Sequence, residues 1–220
     1  MRIAGVDDAG RGPIIGPLVI AGVLVEEKDL PTLQNLGVKD SKLLSPHRRE
    51  QLAVEIRRIA VKWHIIALPP ERIDDIVTNG KKLHKLNRLE AHTMAEVIAE
   101  LQPDIAYVDA SDVLADRFGK HIEERLPFKI KIVSEHKADR NYVAVSAASI
   151  IAKVERDRII AELARQYGDM GSGYVTDPRT ISFLEDWVRK HGSYPDFVRK
   201  SWKPAKKLKE DIKAKQTKLE

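Results

Sequence analysis

Residues 18–25, LVIAGVLV, form an unbroken apolar run. It falls well short of the roughly 18 apolar residues a membrane-crossing helix needs. A strand with one wet face alternates apolar and polar side chains, whereas an unbroken run of this length suits a strand covered on both faces. Such a strand requires layers above and below it. Shorter apolar runs at 3–6, 63–68, 105–108 and 128–133 read as further strands. Between and after them, apolar residues recur at helical spacing. The helices fall at 46 to about 61, opened by Ser45 as N-cap and Pro46, and at 83–101, 112–126, 142–167, 178–187 and from 203 onward. Strands and helices alternate after an initial strand pair, which predicts an α/β fold with a mixed central sheet flanked by helices. One domain over residues 1–185 is expected, with a C-terminal helical, basic extension over 186–220 packed on it or trailing from it.

The chain has no cysteine, which excludes disulfides, thiolate metal sites and a cysteine nucleophile. Its first residues, MRIAGVDDAG, lack the long apolar stretch of an export signal, so a cytoplasmic protein is expected. The net charge of +5 is unevenly placed: residues 199–220 hold nine Lys/Arg against three Asp/Glu, leaving −1 for the rest. A basic tail on a near-neutral body suits a polyanionic partner such as nucleic acid, although a solvated Lys-rich helix has the same composition. The 32% charged content also suits a thermophile. Nothing marks an oligomer interface, so a monomer is expected.

Four aspartates follow apolar runs: Asp7 and Asp8 in VDDAGRG, Asp109 in YVDASD and Asp139 in EHKAD. Taken singly, each is an ordinary loop or capping aspartate. Several carboxylates delivered to one place by neighbouring strands need a cation, because unpaired buried charge is costly. Oxygen-only ligands select hard Mg²⁺ or Mn²⁺. Two such ions about 3.5–4 Å apart can clamp a phosphodiester. Gly10, Arg11 and Gly12 lie just beyond the first pair, where a glycine turn lets backbone N–H groups approach a phosphate or ribose. Ser41 and Lys42 offer a hydroxyl and an ammonium suited to backbone phosphate. His136 and Lys137 precede Asp139, as a phosphate contact, a proton carrier or ordinary surface residues. Tyr174 stands on the loop GSGY, where its ring could pack on a sugar or base or simply pin the loop.

The segments DDAGRGPIIGP, GVKDSK, YVDASD, EHKAD, SAASIIAKVERD and GSGYVTDPRT, in this order and spacing, resemble the signature segments of ribonuclease HII, archaeal type, over residues 1–205. The resemblance implies a ribonuclease H-like fold and a divalent-metal-dependent endonuclease that cleaves RNA of RNA–DNA hybrids. It also implies incision 5′ of single ribonucleotides in duplex DNA, as in ribonucleotide excision repair, leaving 5′-phosphate and 3′-hydroxyl by two-metal activation of water. Under it, Asp7, Asp8, Asp109 and Asp139 are the catalytic and metal-binding acids. Gly10, Arg11 and Gly12 read the 2′-hydroxyl, Tyr174 packs on the next sugar, and Ser41, Lys42 and Lys137 meet phosphate.

The chain departs from the family pattern twice. The pattern has glutamate where this chain has Asp8, a side chain shorter by one C–C bond, about 1.5 Å. Archaeal relatives often end in a sliding-clamp motif, Q-x-x-L-x-x and two aromatics, of which Gln216 and Leu219 match only the first part; weak clamp docking is the expectation. Two other readings follow. One is a hybrid- or junction-binding protein with catalysis weakened or lost at Asp8. The other is a different ribonuclease H-fold nuclease acting on DNA junctions, which the GRG turn and GSGY loop argue against.

Overall fold

A computed structural model describes residues 1–38, 44–80 and 83–217. The chain divides into two compact units. The first comprises Met1–Ala9, Val19–Ala67 and Leu83–Glu155; the second comprises Gly10–Leu18, Leu68–Lys82 and Arg156–Glu220.

The first unit holds a five-stranded mixed sheet in the order β3-β2-β1-β4-β5. Its strands are β1 (Arg2–Ala9), β2 (Leu18–Glu26), β3 (Lys62–Leu68), β4 (Ile105–Asp109) and β5 (Lys131–Glu135). β1 runs antiparallel to β2 and parallel to β4, and β4 is parallel to β5. The unbroken run of residues 18–25 is β2, buried throughout. The aspartate pair does not stop β1, as the sequence suggested. Hydrogen bonding continues through Asp7 and Asp8 to Ala9, opposite Ala21, Ile20 and Val19.

Successive strand residues face opposite sides of a sheet, and two glycines show which helix covers each side. Gly22, opposite Val6, lies under Val97 and Leu101 of α4 (Lys85–Leu101); a Cβ there would fall 2.5 Å from Val97. Gly5, the neighbour of Val6, lies under α7 (Val143–Tyr167), where a Cβ would fall 2.0 Å from the Ala144 carbonyl carbon. Helix α4 therefore covers the Val6 face and the first part of α7 covers the Gly5 face. The alanines of SAASIIA are buried and small enough for this approach. Helix α5 (Ala115–Glu123) packs on α4 and β5, with Phe118 and Ile122 buried. Ser45 caps α2 (Pro46–Ile59) by accepting the Arg48 N–H at 3.2 Å. Short helices α1 (Leu30–Asn35) and α6 (Ala138–Asn141) had no clear sequence signal.

The second unit contains α3 (Pro70–Asn79), the rest of α7, α8 (Pro178–His191) and α9 (Lys203–Thr217). Its core joins Ile14, Ile15, Leu184, Val188, Val198 and Ile212. Residues 203–212 of the basic tail thus include buried Ala205 and Ile212. Arg199, which heads that tail in the charge count, is fully buried. Its guanidinium donates to the carbonyls of Gly10 (2.5 Å), Arg11 (2.8 Å) and Gly16 (3.1 Å). Removing it leaves the buried Gly16 carbonyl and the part-buried Gly10 and Arg11 carbonyls without this donor, so Arg199→Met is expected to cost about 3 kcal/mol in a denaturant titration. Among the described residues no helix is long and apolar enough to cross a membrane.

Candidate active site

Asp7, Asp8 and Asp109 lie near the C-terminal ends of two adjacent parallel strands in the first unit, β1 and β4, and Asp139 lies on α6. Val6 pairs with Val108, so Asp7 and Asp109 come next along adjacent strands and share the face covered by α7. Asp7 is 5% exposed. Burial first, then the charges of Asp8 and Asp109, hold its carboxyl well above the usual 3.8, against hydrogen bonds from the Asp8 N–H (2.7 Å) and the Ser149 hydroxyl. Asp109 accepts the Ala138 N–H at 2.9 Å, which ties it to the segment carrying Asp139. Asp139 is buried on α6, and its carbonyl accepts the Ser146 hydroxyl. Ser146 and Ser149 lie three apart on α7, so one helix face serves both Asp139 and Asp7.

Asp8 is set apart. As the next residue along β1 it faces the α4 side, where the Ser111 hydroxyl stands 3.3 Å from its carboxylate and 2.6 Å from that of Glu90. Among the described residues no three His, Asp or Glu side chains converge into a ready-made metal cage. The alternation of Asp7 and Asp8 across the strand is one physical reason. The donor set nevertheless fits a hard divalent cation: it is all oxygen, and Asp7 is a buried acid whose negative neighbours disfavour its charged form.

The loop after Asp109 is pinned on both sides. His136 places its ring nitrogens 3.3 Å and 3.2 Å from the carbonyls of Ala110 and Val113. Asp112 accepts from the Leu114 N–H (3.0 Å), Asn87 (2.9 Å) and Arg117. Burial opposes its charge, but these donors and the Arg117 cation outweigh burial and hold its carboxyl well below the usual range. Lys137 adopts a left-handed backbone at φ 58° just before α6.

In the second unit the Gly10, Arg11 and Gly12 turn meets Arg156 at Gly10 and Tyr174 at Gly12. Gly10 has φ 88°, and a Cβ there would fall 2.5 Å from the Arg156 side chain. A Cβ on Gly12 would touch the Tyr174 ring at 3.4 Å. The Gly173 carbonyl accepts the N–H groups of Ile14 (2.8 Å) and Ile15 (3.2 Å), tying the GSGY loop to the glycine turn. Asp177 accepts the Ser172 N–H at 2.8 Å; that bond foremost, with the Arg179 N–H and guanidinium, holds its carboxyl at about 2 despite some desolvation. Tyr174 remains 41% exposed. Beneath it lies Arg156, 3% exposed, with its guanidinium 5.7 Å from the ring centroid. Ser41 and Lys42 lie outside the described residues.

Three residues near these groups escaped the sequence reading: Glu90, Arg156 and Arg199. Glu90 carried a signal. It interrupts the apolar stripe of Leu86, Met94, Val97 and Leu101 at helical spacing, where an acid needs a partner.

The whole chain is similar to proteins of one family. The ribonuclease HII profile matches residues 4–205. The ribonuclease HII of Pyrococcus furiosus is 49% identical over 221 residues, covering 100% of this chain and 96% of that one. The crystal structure of ribonuclease H2 from Pyrococcus horikoshii OT3 superposes with a TM-score of 0.89 at 42% identity, covering 97% and 99% of the two chains. A chain in the PCNA:RNase HII complex from Archaeoglobus fulgidus gives 0.83 at 46% identity, covering 94% and 96%.

Proposed function

The chain belongs to the ribonuclease HII family, and from that membership we propose that it hydrolyses the RNA of RNA–DNA hybrids and incises duplex DNA 5′ of a single ribonucleotide, leaving 5′-phosphate and 3′-hydroxyl. The observation that carries the reading is the buried Asp7 carboxyl beside Asp8 and Asp109 at strand ends, an oxygen-donor set that calls for a cation. Asp7, Asp8, Asp109 and Asp139 would hold Mg²⁺ or Mn²⁺. When bound, two such ions supply Lewis-acid activation of water and neutralise charge on the leaving oxygen.

The remaining roles belong to the chain's own groups. Telling RNA from DNA requires a group that senses the 2′-hydroxyl, and the Gly10, Arg11 and Gly12 backbone is slender enough to reach it. Arg199 donates to two of its carbonyls, those of Gly10 and Arg11. Tyr174 offers a half-exposed ring to the following sugar, and Lys137, Ser41 and Lys42 meet phosphate. By extension from the Archaeoglobus fulgidus complex, a sliding clamp is a weakly docking partner. The protein works as a cytoplasmic monomer, with residues 1–185 carrying catalysis and 186–220 as a basic extension.

The test uses three labelled duplexes, RNA–DNA hybrid, DNA with one ribonucleotide, and all-DNA, with Mg²⁺ or Mn²⁺ and with chelator. Cleavage of the first two alone, abolished by chelator, is expected. Cutting of all-DNA junctions would overturn it in favour of a junction nuclease. Tight binding without cleavage would leave a binding protein.

A further inference from the structure

Helix α6 is a single turn, Ala138–Asn141, and it carries the buried Asp139. One turn has no cooperative stability of its own, so its place is set by what holds its ends. At the first end the Ala138 N–H donates to Asp109 Oδ1 at 2.9 Å. At the other end stands Tyr142. Its ring stacks on Tyr107 of β4 with centroids 4.2 Å apart, and its hydroxyl donates to Glu135 Oε1 at 2.8 Å. The Asn141 side-chain amide donates to the other Glu135 oxygen at 3.4 Å. Glu135 pairs with Asp109 across β5 and β4, so the two acids share one face, as does Tyr107, two residues before Asp109. The turn is therefore fastened to β4 at Asp109, and to both β4 and β5 through Tyr142. The Ser146 hydroxyl adds a hold on the Asp139 carbonyl.

We propose that Tyr142 and Glu135 are positioning residues: their hydrogen bond keeps the Asp139 turn in register with Asp109 for a divalent cation. This rests on the reading of Asp109 and Asp139 as cation ligands, and adds what fixes the one that lies outside the sheet. Asp7, Asp8 and Asp109 take their places from strand pairing, which Asp139 lacks. A phenol that donates to a carboxylate makes a hydrogen bond to an ionised acceptor, the stronger kind. Groups that orient a metal ligand in this way weigh on metal affinity without touching the metal. The bond can be removed from either side. Tyr142→Phe keeps the ring on Tyr107 and takes away only the hydroxyl. Glu135→Ala takes away the acceptor, whereas Glu135→Gln keeps an oxygen that accepts the same hydrogen.

The test is Mn²⁺ titration calorimetry on the full chain, with cleavage of a single-ribonucleotide duplex measured alongside. Tyr142→Phe and Glu135→Ala are each expected to weaken Mn²⁺ binding about 10-fold, the order seen when a group supporting a metal ligand is altered. The two together should also cost about 10-fold, since both remove one bond. Glu135→Gln should stay within about 3-fold of the parent, because its amide oxygen still accepts the phenol hydrogen. A carboxylate that bound the cation itself would lose as much as glutamine as it does as alanine. Unchanged affinity in Tyr142→Phe, additive losses of about 100-fold in the double variant, or a 10-fold loss in Glu135→Gln would each overturn the inference. Glu135→Ala, which leaves both rings in place, decides the matter with Glu135→Gln if Tyr142→Phe does not fold. Absence of cleavage with this Mn²⁺ pattern intact would count against the nuclease reading alone.

Discussion

Asp7→Asn is expected to reduce metal-dependent cleavage roughly 1000-fold while leaving the fold intact. The carboxylate lies at the most crowded point of the acidic group, buried and beside Asp8 and Asp109. Asparagine keeps its shape and loses the charge that a cation would neutralise. The same substitution has a signature in stability. Because the folded state raises the Asp7 pKa, its contribution is fully present below the usual 3.8 and is lost as pH rises through the higher folded value. In chelator, denaturant titrations of the parent should therefore lose stability across that window, and Asp7→Asn should remove this part of the slope. Mg²⁺ or Mn²⁺ should restore parent stability at neutral pH and do much less for the variant. An Asp7→Asn protein that retains most of its cleavage would remove Asp7 from the site.

Asp8→Glu is expected to raise the metal-dependent rate about 10-fold. A reacting group misplaced by about 1 Å can cost roughly 100-fold, and aspartate falls short of glutamate by about that much. The full factor is not expected, because the α4 side is built around the shorter acid, with Ser111 against its carboxylate and Glu90 behind. Single-turnover cleavage at saturating Mg²⁺ separates a gain in chemistry from a gain in metal affinity. No gain, or a loss, would show that the site is built for aspartate.

Much of the sheet could be read from the chain because its evidence is local. An eight-residue apolar run admits few structures other than a strand buried on both faces, and β2 is one. The acids were visible as residue types at strand ends, but the sides they face were not. That depends on β1 continuing through Asp7 and Asp8, which sends one carboxylate toward α7 and the next toward α4. Helix α3 had no place among the expected helices, although Pro70 opens it, where a missing N–H costs nothing. Arg199 entered the sequence reading only as one more cation in a basic tail. Its role under the glycine turn, 183 to 189 residues away along the chain, is tertiary and leaves no periodic trace. Glu90 differs from Arg199, since an acid in an apolar stripe is a local anomaly that patterning can flag.

The central claim is a cation-dependent incision directed by ribose, and mapping product ends tests it most directly. A duplex with one ribonucleotide, labelled at either end of the ribonucleotide-bearing strand, should be cut once in Mg²⁺ or Mn²⁺, on the 5′ side of that ribonucleotide. The products should carry 3′-hydroxyl and 5′-phosphate, and chelator should leave the strand whole. Cleavage that persists in chelator, that leaves a 2′,3′-cyclic phosphate, or that occurs equally in the all-DNA strand would contradict the account.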